Sequence, residues 1–220
     1  MLIPFDEIVR RYRVRPKGVL HLGAHLGEEA KDYAAQGVGD VLWVEANPAL
    51  IEPLTQAVGS YGHRVAQGVL SDAAGKKVEF KITNNGQSSS YLSLGTHAEH
   101  YPKIQVVETL ELETTTVQDL YRAHDIAPDA YDFVNLDLQG CELDALRGMG
   151  PLLDHFAAVY CEVNKEALYE GCPLLPDIDA FLGERGFTRR ALRMSKYRWG
   201  DALYVRGDVS VFERIASRFR

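Results

Sequence analysis

A short apolar run, Val19-Leu20-His21-Leu22, ends on Gly23, and Gly27 follows four residues later, directly ahead of Glu28 and Glu29. A buried strand, a glycine-flanked turn and an acidic helix start, in that order, form the first β-loop-α unit of a nucleotide-binding α/β sheet. A second apolar run, Val41-Leu42-Trp43-Val44, closes on Glu45, 22 residues after Gly23. Sheets of this kind place an acid against ribose hydroxyls at a spacing of roughly 20 residues.

The turn also discriminates between nucleosides. A dinucleotide fingerprint needs G-x-G-x-x-G, because the pyrophosphate lies against the backbone and the helix N-terminus. Here His25 and Glu28 occupy the second and third glycine positions, so a nicotinamide-dependent oxidoreductase is disfavoured. Two adjacent carboxylates repel a diphosphate but suit a ligand with a cationic centre and no phosphate, such as S-adenosylmethionine. The plainer alternative is that Glu28 and Glu29 only complement the helix dipole, an effect of about 0.3–1 kcal/mol.

Further motifs follow in order: Val44-Glu45-Ala46-Asn47-Pro48, Leu70-Ser71-Asp72, Asp132-Phe133-Val134-Asn135-Leu136-Asp137-Leu138-Gln139-Gly140-Cys141-Glu142 and Tyr160-Cys161-Glu162-Val163. Together with the opening turn they resemble the FkbM family of S-adenosylmethionine-dependent methyltransferases over about residues 17–206. Two positions depart from the family's usual residues: His21, where Asp is common, and His25, where Asn is common. The resemblance implies a class I methyltransferase fold, a single Rossmann-like, doubly wound, mostly parallel sheet with an antiparallel last strand. It also implies cofactor contacts from Gly23, Ala24, His25, Gly27, Glu45, Ala46, Asn47, Ser71, Asp72 and Asp137. The reaction it implies is methylation of an oxygen on a sugar, glycan or small secondary metabolite, with S-adenosylhomocysteine as product.

The chain of 220 residues, 46% hydrophobic, is read as one domain. Its net charge of −7, with Lys and Arg scattered, disfavours a nucleic-acid substrate. No run approaches the ~18 apolar residues of a spanning helix and no signal peptide is apparent, so a soluble, cytoplasmic protein is expected. Cys141, Cys161 and Cys172 make neither a C-x-x-C pair nor an even disulfide framework, and read as core or loop residues. The expected partner is a small-molecule or glycan acceptor, without membrane; a homodimer is left open.

Phe5, Ile8, Val9 and Tyr12 predict a short helix over 5–14, within an N-terminal segment 1–16 that packs on the sheet edge or gates the pocket. Strands are expected at 18–23, 41–45, 64–70, 77–82, 105–115, 129–138, 156–163, 187–193 and 200–206. Helices are expected at 27–36, after Pro48 with Asn47 as its cap, into Ala123, after Gly140, at 177–185 and at 208–219. The polar stretch 83–105 is long for an unstructured connection, and reads as a substrate-facing lid with Ser88, Ser89, Ser90 and Tyr91 towards the acceptor. A mobile surface loop is the plainer alternative.

Asp137 closes the fourth main strand and should share a pocket with Gly23 and Glu45. With Glu162 at the neighbouring strand end it supplies the candidate catalytic carboxylates, and His25, His97 and His100 are rival bases. Positioning of cofactor or acceptor is the expected role of Asp137, since a well-aligned oxygen needs only weak base assistance. A metal set of His21, His25, Asp137 and Glu162 lacks any local ligand spacing, so no metal is expected. A binding module that holds the cofactor or a sugar nucleotide without catalysis is the alternative from another class.

Overall fold

The computed structural model describes residues 1–207; the helix expected at 208–219 lies outside them. The first half contains α1 (Phe5–Arg11), β1 (Val19–Leu22), α2 (Ala30–Ala35), β2 (Val41–Glu45), α3 (Pro48–Gly59), β3 (Arg64–Gln67), β4 (Val69–Leu70), β5 (Lys77–Thr83) and α4 (His97–His100). The second half contains β6 (Val106–Thr115), α5 (Val117–Ala123), β7 (Phe133–Leu136), α6 (Glu142–Met149), a 3-10 turn (Gly150–His155), β8 (Ala158–Asn164), α7 (Leu175–Gly183), β9 (Phe187–Met194) and β10 (Trp199–Arg206).

The main sheet has the order β3-β2-β1-β7-β8-β10-β9. Its first five strands are parallel, and β10 enters antiparallel to both β8 and β9, as the last strand was expected to do. Every residue of β1, β2, β7 and β8 is buried, the mark of parallel strands covered on both faces. On one face Val19, Trp43, Phe133 and Tyr160 pack with Phe5, Ile8, Tyr33 and Leu54, from α1, α2 and α3. On the other, Leu20, Leu22, Val134 and Val159 meet Leu120, Leu146, Met149 and Ile178, from α5, α6 and α7.

Three local expectations are corrected. The strand expected over 64–70 breaks at Gly68, whose N–H still bonds the Glu45 carbonyl at 2.9 Å. Beyond Glu45 the neighbouring β2 has ended, so Val69 and Leu70 pair instead with Thr114 and Thr115 in a separate sheet of order β4-β6-β5. The second helix begins at Ala30, not at 27, because residues 27–29 close a turn in which the N–H of Gly27 bonds the Ala24 carbonyl at 2.8 Å. The first helix stops at Arg11, and Arg13 then takes a left-handed φ of 58°. Other local readings hold. The side chain of Asn47 accepts from the Ala49 N–H at 3.0 Å with Pro48 in the first turn of α3, and β5 pairs antiparallel with β6.

Candidate active site

The turn after β1 is fixed by backbone. The N–H groups of Gly23 and Ala24 both reach the Val44 carbonyl, at 2.9 and 3.1 Å, and the Asp137 N–H reaches the Leu22 carbonyl at 3.0 Å. Gly23 sits at φ 87°, and a Cβ there would stand 1.9 Å from the Asp137 carbonyl oxygen, so only glycine lets the ends of β1 and β7 approach this closely. Glu45, 8% exposed, receives the His25 N–H on one carboxylate oxygen and the Asn47 N–H on the other, each at 2.8 Å. Burial raises its pKa and those donors oppose the rise. The Glu28 carboxylate folds back to the His25 ring at 2.6 Å; this bond drops Glu28 to about 2 and lifts His25. Glu28 is thus a salt-bridge partner of His25 and not a residue of a helical first turn.

The second group of acids stands further along the sheet. Asp137 follows β7 and opens to the cavity, whereas Glu162 within β8 is 7% exposed. Gln139 donates from Nε2 to Asp137 Oδ1 at 2.6 Å and to Glu162 Oε2 at 3.2 Å. Asp201 pairs directly across from Glu162 on β10 and accepts the Tyr160 hydroxyl and the Leu2 N–H. Asp137 is accessible from the cavity, yet the protein crowded around it, then the neighbouring Asp201 charge, raises its pKa; burial, then Asp137, raises that of Glu162.

The stretch 83–105 closes over both groups. Lys81 bridges Ser90, Leu94 bridges Tyr169, and the N–H of Gly95 bonds the Leu168 carbonyl at 2.7 Å. Ser88 and Ser90 are buried, Tyr91 donates its hydroxyl to Asp144 at 3.0 Å, and Tyr169 stands beneath the Ser88 carbonyl at 3.2 Å. An aromatic wall completes the enclosure: the His97 ring lies 4.9 Å from that of Tyr101 and 5.4 Å from that of Tyr169, and Trp199 Nε1 donates to the Tyr101 hydroxyl at 2.8 Å.

One cavity of about 530 Å³ results. Of the residues singled out in the sequence, Gly23, Ala24, His25, Glu45, Ala46, Ser88, Ser89, Ser90, Tyr91, Asp137 and Glu162 line it. Five stand elsewhere, and among them His100 bonds Glu166. Gly27 leaves room for Val58 and Leu54 of α3, Asn47 caps that helix, and Ser71 and Asp72 follow β4, with Asp72 held by Lys76 at 2.5 Å. The swerve at Gly68 explains the last two, because it carries the chain off the main sheet before Ser71. Asp201, Gln139, Tyr169 and Trp199 line the cavity unannounced. Only the antiparallel reading of 200–206 carried a signal for Asp201, since it turns that strand's residues towards Glu162. His21, also in the wall, bonds the Tyr33 hydroxyl at 3.0 Å and stacks on Trp43, and its burial lowers its pKa.

An acid on β2, a glycine turn after β1 and a carboxylate after β7, all facing one enclosure, are the arrangement of a nucleoside-binding α/β fold. Residues 21–189 match the methyltransferase FkbM domain, and the chain belongs to the FkbM methyltransferase family. Among solved structures it is similar to the methyltransferase domain of bacterial CtHen1-C, at 7% identity over 94% of this chain and 98% of that one, TM-score 0.50. Ribosomal protein L11 methylase from Lactobacillus delbrueckii subsp. bulgaricus matches at 14% identity over 94% and 78%, TM-score 0.49. Magnesium protoporphyrin IX methyltransferase from Synechocystis PCC 6803 with bound SAM matches at 15% over 86% and 69%, TM-score 0.46. No curated protein sequence matches.

The cofactor is S-adenosylmethionine, and the donor set fits it. Each Glu45 oxygen receives one backbone N–H and keeps a lone pair for a ribose hydroxyl. Asp137, Glu162 and Asp201 give the cavity an acidic wall, and the cavity is of ordinary small-ligand size. Glu45→Ala should weaken S-adenosylhomocysteine binding by roughly 1.5–3 kcal/mol, the loss of hydrogen bonds to a charged group. Calorimetry on the folded variant checks this; unchanged affinity would leave Glu45 as a brace for His25 and Asn47 alone. Among the described residues no helix is long and apolar enough to cross a membrane, and no three His, Cys, Asp or Glu residues are grouped to hold a metal.

Proposed function

We propose that this methyltransferase acts on an oxygen of a small acceptor, a sugar, glycan or small secondary metabolite, with residues 83–105 as the lid over it. The observation that carries the reading is the pair Asp137 and Glu162, one open to the cavity and one buried behind it, beneath an aromatic wall. Bound S-adenosylmethionine supplies a methyl on a sulfonium that leaves as a neutral thioether. The acceptor hydroxyl must then give up its proton, and Asp137 is the carboxylate placed to take it. Burial and that neighbour raise the Glu162 pKa, so the pair disfavours carrying two charges at once. Tyr101 and Trp199, backed by the buried Tyr169, offer flat faces for a ring, and the lid's bonds to residues 167–168 exclude water. Crowded carboxylates around the cavity repel polyphosphate acceptors.

The test is transfer of labelled methyl from S-adenosylmethionine to separate pools of monosaccharides, oligosaccharides, small hydroxylated metabolites, peptides and RNA, with the product bond identified by NMR. O-methyl product in one of the first three pools is expected. Label found only in peptide or RNA would overturn the substrate reading.

A further inference from the structure

Gln139 occupies a backbone position that glutamine seldom takes. Its φ is 53°, in the left-handed region that glycine and asparagine enter more readily, and Gly140 follows at φ 96°. The unusual backbone aims the amide at three partners. Nε2 lies 2.6 Å from Asp137 Oδ1 and 3.2 Å from Glu162 Oε2, while Oε1 accepts the Tyr169 hydroxyl at 2.5 Å. A flipped amide would turn its oxygen onto two carboxylates, so these partners settle its orientation.

We propose that Gln139 is the positioning residue of the methyl-transfer reaction: its two amide hydrogens, one for each carboxylate, fix the spacing of Asp137 and Glu162 and leave Asp137 Oδ2 to the acceptor. The proposal rests on the reading of Asp137 as proton acceptor. Two carboxylates this near each other repel, and a shared donor of two N–H groups is the neutral element that lets them stand together without a cation. Tyr169 makes the arrangement rigid, because it is 1% exposed and holds Gln139 from the side away from the acids.

Other charged groups face the pair. Glu142 from the start of α6, Asp201 from β10 and Glu29 from the turn before α2 add negative charge, and the Met1 ammonium offsets some of it. Loss of the Gln139 donors therefore removes a local stabiliser of the charged forms from an already acidic surrounding, and both carboxyl groups should hold their protons to higher pH.

The variants are Gln139→Gly, which relaxes the backbone, and Gln139→Asn, which tolerates it while its amide is one carbon too short. Gln139→Glu keeps an acceptor for Tyr169 and replaces the donor by a third acid. Carbon-13 NMR follows the side-chain carboxyls through pH, with assignments from Asp137→Asn and Glu162→Gln, and calorimetry follows S-adenosylhomocysteine. In Gln139→Gly and Gln139→Asn the two titrations should move up by about one pH unit, and further in Gln139→Glu, while the melting temperature of the glycine variant stays within about 2 °C of the parent. Unmoved titrations in either folded variant would show that Gln139 serves only the turn, and would overturn the proposal. Failure of the underlying reading looks different: the titrations move, yet Asp137→Asn transfers methyl at the parental rate.

Discussion

Asp137→Asn should lower kcat by roughly 10²–10⁴-fold, with S-adenosylhomocysteine affinity unchanged within about threefold. Asparagine keeps the shape of the side chain and can still accept from Gln139, so the turn survives while the ability to take a proton is lost. The sequence alone favours a positioning role, in which KM rises and kcat is spared. What moves the expectation is Glu162, buried directly behind and bonded to the same amide. Two acids so close that charging one disfavours charging the other suit proton transfer, whereas positioning needs only one. The base works deprotonated. Since the protein crowded around it and Asp201 raise the Asp137 pKa, the parental rate should climb with pH along a limb lying above the ordinary aspartate range, and that limb should vanish in the variant. A rise in KM with kcat spared would return Asp137 to positioning. If neither constant moves, the residue lies outside the reaction.

Gly23→Ala should cost roughly 2–6 kcal/mol of stability, combining left-handed backbone strain with overpacking against the end of β7. The added methyl would lie 1.9 Å from the Asp137 carbonyl oxygen and 2.8 Å from its carbon, neither of which can swing aside as a side chain can. Gly37→Ala is the control, because φ there is 82° and nothing lies within 4 Å of the added atom. Denaturant unfolding of the two variants separates strain from contact. Near-equal losses would mean that β1 and β7 part easily at the site; a loss about twice as large at Gly23 is expected, with S-adenosylhomocysteine binding lost as well.

The glycine turn and the β2 acid were legible because each closes a buried strand in a strand–turn–helix order, although their partners, Asp137 and His25, lie far off in the chain. Asn47 was legible as a cap because a cap acts within its own turn, and alternation along 77–82 was enough to mark β5. The acceptor half depends on chain segments that meet only after folding. Tyr169 comes from the loop after β8, Trp199 and Asp201 from β10, and Gln139 matters because of where a left-handed backbone aims its amide; no spacing in the sequence encodes those meetings. The break at Gly68 escaped for a related reason. Residues 64–70 are suitable for one strand, and only the end of β2 at Glu45 decides that they become two. From sequence Glu28 reads as an acid suited to a cationic ligand, or more plainly as a complement to the helix dipole, although three residues of separation from His25 already allow the contact the structure shows.

The two ends of the lid are held side by side, for Thr83 at the end of β5 pairs with Val106 at the start of β6. Everything between them is therefore a cassette inserted into a hairpin, and its length can change at small entropic cost while the strands that carry it stay in register. None of the glycine turn or the β2 acid comes from this cassette, so, with the segment acting as the acceptor's lid as proposed, its exchange leaves the first strand turn and Glu45 in place. The seam that such an exchange must respect includes the bonds from Gly95 to Leu168 and from Tyr91 to Asp144, and the approach of Gly86, at φ 74°, to the His25 ring, where an added methyl would lie 3.0 Å from Nε2.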